Sequence, residues 1–292
     1  MNPVTTRARL RQKVQARCGL LVPGAFNALS ARVVADLGFE AVYLSGAGLT
    51  NMMYGLPDLA FIGLQDVAQA VASIRDAVSI PLIVDADTGF GNALNVAHTV
   101  KVLEREGADA VQLEDQVFPK RCGHFSGKDV VPLADMIGKI HAAVDARRDE
   151  DFMVIARTDA RSTLGFEAAV ERGKRMSEAG ADVLFIEATE SADEVRRLPG
   201  LLDKPQVINI VIGGKTPVLP QSELAALGYG MVLYANAGLQ GAVLGMQRAL
   251  KVLKADGTLP EDPDLVISFN ERQRLVGKPS FDALEKKYAA RD

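Results

Sequence analysis

Gly107-Ala-Asp-Ala-Val-Gln-Leu-Glu114 decides how this chain folds. A glycine closes an amphipathic run, two small or acidic residues follow, and an apolar stretch then stops at a carboxylate. The left-handed backbone that ends a helix is cheapest for glycine, and a short, continuously apolar run suits a parallel strand covered on both faces. Three more segments repeat the format: Gly38-Phe-Glu-Ala-Val-Tyr-Leu-Ser45, Gly180-Ala-Asp-Val-Leu-Phe-Ile-Glu187 and Gly228-Tyr-Gly-Met-Val-Leu-Tyr-Ala235. Ser45, Glu114 and Glu187 therefore share one position, the end of a strand.

Four other strand candidates enter after Pro, Gly or acidic residues: Gly19-Leu-Leu-Val-Pro23, Ile80-Pro-Leu-Ile-Val-Asp85, Asp151-Phe-Met-Val-Ile-Ala-Arg157 and Lys204-Pro-Gln-Val-Ile-Asn209. Amphipathic runs separate them, among them Asn27 to Leu37, Leu64 to Ala77, Asn95 to Glu106, Phe166 to Ala179 and Gln221 to Leu227. Strands alternating with helices over roughly 250 residues predict an α/β protein of the (β/α)8 TIM-barrel type. The rival is a doubly wound open sheet, but no G-x-G-x-x-G follows the first strand. Helical runs from Gly241 to Lys254 and from Phe281 to Ala290 exceed what one barrel needs. Residues 1–292 are thus read as one barrel domain whose C-terminal helical extension, about 241–292, packs on or is exchanged with a neighbouring subunit.

Composition narrows the class. With 48% hydrophobic and 24% charged residues and a net charge of -4, the 292-residue chain reads as a globular protein with no nucleic-acid footprint. Its apolar stretches break well before a membrane-spanning length. The N-terminus carries Arg7, Arg9, Arg11 and Lys13 without an apolar h-region, so a cytoplasmic protein with no membrane partner is expected. Cys18 and Cys122 are too few for a disulfide framework and lack C-x-x-C spacing.

In a barrel, catalytic groups gather at the C-terminal ends of the strands. Polar residues fall there: Tyr43, Ser45, Asp85, Asp87, Glu114, Arg157, Asp159, Glu187 and Asn209. Asp85, Asp87 and Glu114 make an oxygen-rich site for a hard divalent cation that keeps several waters, which suits magnesium better than zinc. Turn formation or N-capping is the plainer use of either aspartate. Ser45-Gly46-Ala47-Gly48 offers backbone N–H groups to a carboxylate or an enolate oxygen, or is a simple turn. Tyr43 either positions or accepts a proton, or packs. Arg157 presents a planar fork to a substrate carboxylate, with Asp159 as its competing structural partner.

The long segment from Val117 to Leu133 reads as a lid. Its thiol, Cys122, lies among Lys120, Arg121 and His124, a field that favours thiolate and suits a nucleophile, a proton donor or a metal ligand. A Cys-His hydrolase is a minor alternative.

Taken together, Tyr43-Leu-Ser-Gly-Ala-Gly48, Gly55-Leu-Pro-Asp58, Val84-Asp-Ala-Asp-Thr-Gly-Phe-Gly91, Glu114-Asp-Gln116, Lys120-Arg-Cys-Gly-His124 and Ala156-Arg-Thr-Asp-Ala160 resemble the isocitrate lyase and phosphoenolpyruvate mutase superfamily, in family order and over nearly the whole chain. The resemblance implies a (β/α)8 barrel with an exchanged helix, a homotetramer, and Mg²⁺, with Mn²⁺ as the alternative ion, near Asp58, Asp85, Asp87 and Glu114. Lys-x-Cys-Gly-His is similar to the lid of the lyases, since the mutases and phosphonopyruvate hydrolases lack that cysteine. It implies cleavage of a carbon–carbon bond in a 2-hydroxy acid, with Tyr43 as base, Cys122 as the acid that protonates carbon, and Lys120 and His124 in the catalytic lid. Ser45, Gly46, Ala47, Asp85, Gly123, Arg157, Glu187 and Asn209 would bind substrate.

Gln116 to Lys128 and Gly213-Gly-Lys-Thr-Pro217 resemble the 2,3-dimethylmalate lyase and petal-death-protein branch more than 2-methylisocitrate lyase. Gln112 and Gln240 stand where the methylisocitrate pattern has a histidine and an arginine, and Ile212 where both groups place glutamate. The expected substrate is therefore a substituted malate, with Ile212 and Gln240 on its specificity wall. 2-Methylisocitrate cleavage is the first alternative; oxaloacetate decarboxylation or hydrolysis and a non-catalytic metabolite-binding barrel follow.

Overall fold

A computed structural model describes residues 5–123 and 127–289. In chain order the elements are α1 (Thr6–Gln15), β1 (Leu20–Ala25), α2 (Ala28–Asp36), β2 (Val42–Leu44), α3 (Gly46–Tyr54), α4 (Leu64–Ala77), β3 (Leu82–Asp85), α5 (Ala93–Arg105) and β4 (Ala110–Glu114). They continue with α6 (Leu133–Ala146), β5 (Met153–Thr158), α7 (Arg161–Leu164), α8 (Phe166–Glu178), β6 (Val183–Ile186), α9 (Ala192–Leu201), β7 (Gln206–Asn209), α10 (Gln221–Leu227), β8 (Met231–Tyr234), α11 (Ala237–Asp256), α12 (Phe269–Leu275) and α13 (Lys278–Tyr288). The strands close in sequential order into a parallel barrel, β8 pairing back onto β1. The eight-stranded barrel expected from the repeat is the fold. Gly38, Gly107, Gly180 and Gly228 all adopt positive φ, from 81° to 104°, as the helix-ending reading requires.

The two-residue period of a strand then sorts the side chains. Val22, Ile83, Met153, Ile155, Val183, Phe185, Val207, Met231 and Leu233 form the core inside the barrel, while their neighbours Leu82, Val84, Val154, Ala156, Leu184 and Val232 pack outward against the helices. Leu10 and Val14 of α1 join the inner cluster with no exposed surface, so α1 plugs the N-terminal end. Each such burial stabilises the fold by about 1.5–3 kcal/mol.

Extending the same parity to the other end predicts the site. Tyr43 and Ser45, Ile83 and Asp85, Ala110, Gln112 and Glu114, Ile155 and Arg157, Phe185 and Glu187, and Val207 and Asn209 alternate inward. Apolar layers thus give way to a polar layer at the C-terminal mouth. Strand register completes the placement: Asp85 is opposite Gln112, and Glu114 is opposite Arg157.

Ser45-Gly46-Ala47-Gly48 is the start of a helix as well as the end of a strand. Ser45 caps α3, its Oγ accepting from Gly48 N at 3.1 Å. Among the described residues no helix is long and apolar enough to cross a membrane.

Candidate active site at the mouth of the barrel

Tyr43, Ser45, Ala47, Asp58, Asp85, Glu114, Lys120, Cys122, Gly123, Arg157, Glu187 and Asn209 line one cavity. Gly46 and Asp87 border it: a Cβ built at Gly46 would stand 3.2 Å from both Asp85 Oδ2 and Asp87 Oδ1. The cavity is only about 40 Å³, room for a few waters, because the lid lies on it. A much larger groove of about 840 Å³ runs outside the barrel between α5 and α6, lined by Phe90, Leu94, Phe118 and Lys139. Its apolar walls gather none of the convergent charge, so size alone does not mark the site.

The lid brings a cation into the carboxylates. Lys120, 4% exposed, contacts Asp58 and stands 2.7 Å from Asp87 Oδ1. Burial alone would lower its pKa, but Asp87, Glu114, Asp58 and Asp85 together outweigh it and keep the ammonium protonated. Asp87 has the opposite balance. Burial, opposed by Lys120 and reinforced by Asp85 and Asp58, pushes its pKa up to about 7. Its backbone is left-handed at φ 47°, strain that the surrounding loop must hold in place. Asp85 accepts long hydrogen bonds from Gly46 N, Asp87 N and Gln112 Nε2 at 3.2–3.3 Å.

Arg157 faces three carboxylates. It forks onto Asp159 at 3.0 and 3.2 Å, meets Glu114 at 3.2 Å and reaches Glu187 at 3.5 Å, with Phe185 beneath its guanidinium at 5.3 Å. Glu114 is raised well above its ordinary pKa by burial, Arg157 opposing. Its Oε1 is buried with no hydrogen-bond partner. Gly123 packs directly on this group: a Cβ there would come within 2.7 Å of Glu187 Cγ and collide with the guanidinium. The lid can descend this far only because position 123 has no side chain.

Tyr43 is buried, and its hydroxyl donates to Gln112 Oε1 at 2.9 Å. Burial, then the charge of Asp85, raises the phenol well above its ordinary pKa, so it is protonated in this arrangement.

A divalent cation fits the donor chemistry. Asp58, Asp85, Asp87 and Glu114 supply only oxygen, their charge exceeds that of Lys120, and Glu114 keeps an unpartnered buried acceptor. In the present arrangement Lys120 already lies against two of them. Among the described residues no group of three or more His, Cys, Asp or Glu is drawn into metal-ligating geometry.

Two expected residues stand apart. Ile212 is 56% exposed at the rim, and Gln240, also exposed, donates to its carbonyl at 3.4 Å; neither lines the cavity. His124 lies outside the described residues. Gln112, which the sequence marks as a departure from the methylisocitrate pattern, holds Tyr43 from β4. Residues not singled out from the sequence also enter the site. Lys128 bridges Asp159, at 2.6 Å, to the Gly123 carbonyl and so ties the lid to the partner of Arg157. Asn236 lies beyond the end of β8, where strand parity no longer applies.

Residues 10–254 match the family model described as phosphoenolpyruvate phosphomutase. The chain is 41% identical over 286 residues to 2,3-dimethylmalate lyase of Eubacterium barkeri, covering 98% of this chain and 99% of that protein. It is 40% identical to 2-methylisocitrate lyase of Aeropyrum pernix, covering 94% and 88%. Among solved structures, oxaloacetate acetylhydrolase bound to 3,3-difluorooxalacetate superposes with a TM-score of 0.93 at 33% identity over 99% of both chains.

Proposed function

Because this chain belongs to the phosphoenolpyruvate mutase and isocitrate lyase superfamily, we propose that it is a Mg²⁺-dependent carbon–carbon lyase. Its substrate would be a substituted malate of the 2,3-dimethylmalate type, cleaved to pyruvate or a related 2-oxo acid and a short carboxylate. The observation that carries this reading is the placement of the lid thiol: Cys122 lines the same cavity as Arg157 and the carboxylates of β3 and β4.

Cleavage needs a base at the substrate hydroxyl, a sink for the electrons of the breaking C2–C3 bond and an acid at C3. The hydroxyl gives up its proton and becomes the oxo group. The bond's electrons pass into the neighbouring carboxylate as an enediolate, and Cys122 protonates C3. Arg157 holds the oxo-acid carboxylate, drawing on a guanidinium already aligned by Asp159. Tyr43 takes the hydroxyl proton, oriented by Gln112. Its raised pKa in the closed site means that this role needs added positive charge nearby. Asp85, Asp87 and Glu114, with Asp58 beyond them, would hold Mg²⁺, which supplies that charge and polarises the oxygens of the oxo-acid half. Mn²⁺ is the alternative ion on the same oxygen donors.

A tricarboxylate is disfavoured. Arg157 is shared among three protein carboxylates, and the β7–β8 wall of Asn209, Val211, Leu233 and Asn236 carries no cation. Its two amides can serve one carboxylate, and a third carboxylate buried beside it would lack compensation.

The same reading places the chain in a homo-oligomer, a tetramer by family resemblance. On α11, Val243, Met246, Leu250 and Leu253 recur at three- and four-residue spacing, and each is 39–59% exposed. That stripe suits burial by another copy of the chain. Two cysteines, too few for a disulfide framework, suit a reducing cytoplasm. The test is a coupled 2-oxo-acid assay with Mg²⁺ over substituted malates, 2-methylisocitrate and oxaloacetate. Release of pyruvate from the malates supports the proposal, and failure to release any 2-oxo acid from them rejects it.

A further inference from the structure

Asn236 occupies the N-cap position of α11, where an asparagine ordinarily accepts a hydrogen bond from the first turn. Its side chain makes no capping bond. It lines the cavity that holds Tyr43, Cys122 and Arg157, and its Oδ1 is buried with no hydrogen-bond partner. Asn209, at the end of β7 and 9% exposed, is in the same condition. Two amide oxygens desolvated on one wall are costly unless a ligand or a turn of the amide satisfies the site.

Position says which part of a ligand. β7 and β8 lie across the closed barrel from β3 and β4, so the amides face Asp85 and Glu114 from the opposite side. The metal-binding and Arg157 side takes the oxo-acid half. Val211 and Leu233 accompany the amides, giving a wall that is apolar apart from two neutral hydrogen-bonding groups. We propose that Asn236, with Asn209, binds the carboxylate of the fragment that separates from the oxo-acid half, each amide turning Nδ2 to an oxygen. This rests on the lyase reading. An amide exchanges its oxygen and nitrogen ends by a half-turn with no change in volume. Neutral donors also hold a departing carboxylate less tightly than a cation would, which favours release.

Binding of the two product halves separates this role from a structural one. The full-length protein, Asn236→Ala and Asn236→Asp are titrated in Mg²⁺ buffer with pyruvate alone, then with propionate at saturating pyruvate, followed by ligand-observed NMR. Asn236→Ala should weaken propionate about tenfold or more, the loss of one hydrogen bond to a charged group. Asn236→Asp should weaken it further by like-charge repulsion, with pyruvate affinity unchanged within about twofold in both. Unaltered propionate binding in Asn236→Ala overturns the proposal. So does a parallel loss of pyruvate affinity, wild-type behaviour of Asn236→Asp, or absence of propionate binding to the wild type. If the wild type binds both acids but cleaves no malate, the lyase reading fails while the carboxylate site stands.

Discussion

Lys120 of the lid stands 2.7 Å from Asp87 of the β3 loop, so one residue both closes the mouth of the barrel and neutralises its carboxylates. A divalent cation held by these carboxylates would compete with Lys120 for the same oxygens. Lys120→Met leaves Asp58 and Asp87 buried without their ammonium and should cost about 3–5 kcal/mol in metal-free protein. Millimolar Mg²⁺ should restore more stability to the variant than to the wild type. Thermal melts with and without Mg²⁺ check this, and an unaltered melting temperature for metal-free Lys120→Met would count against the competition.

Asp87 makes metal-free stability depend on pH. Its pKa is raised from 3.8 to about 7 in the folded protein. Between those values the folded state keeps a proton that the unfolded state releases, so stability falls as pH rises through the window and the full cost is present above about pH 7. Asp87→Asn should gain on the wild type across this range by on the order of 2–4 kcal/mol. Urea denaturation from pH 4 to 8 in chelator measures the difference, and parallel stability curves would refute it.

Gly123→Ala tests lid closure through its close approach to Glu187 and Arg157. The new methyl group holds the lid off the site without touching the barrel core. Turnover should fall roughly a hundredfold, with the misplaced acid, while the melting temperature stays near wild type. Wild-type kcat in this variant would show that the closed lid is not the working state.

Cys122→Ser separates carbon protonation from the alternatives. A serine hydroxyl is a far weaker acid at the same place, so cleavage should drop by about 10² to 10⁴. Binding of pyruvate with Mg²⁺ should persist. A variant that still cleaves malates at the wild-type rate removes Cys122 from the acid role; unimpaired decarboxylation or hydrolysis of oxaloacetate would favour that alternative activity.

The sequence by itself determined the barrel and the ring of strand ends. Helix-ending glycines such as Gly107 and Gly180, apolar runs and two-residue alternation are local, so they can be read without knowing what packs on what. Parity carries Asp85, Glu114, Arg157, Glu187 and Asn209 to one mouth as soon as the strands are parallel. Tertiary structure alone decided which groups meet there. Lys120 with Asp58 and Tyr43 with Gln112 are 62 and 69 residues apart, and only barrel closure and the descent of the lid set those distances. Ile212 and Gln240 stood out as departures from a pattern, yet the path of the chain after β7 leaves both at the rim. Asn236 reads as an ordinary helix cap until its side chain is seen to leave α11 uncapped and to line the cavity. The physical reason is the same in each case: backbone propensities act over a few residues, whereas charge compensation and desolvation depend on neighbours that the fold supplies from far along the chain.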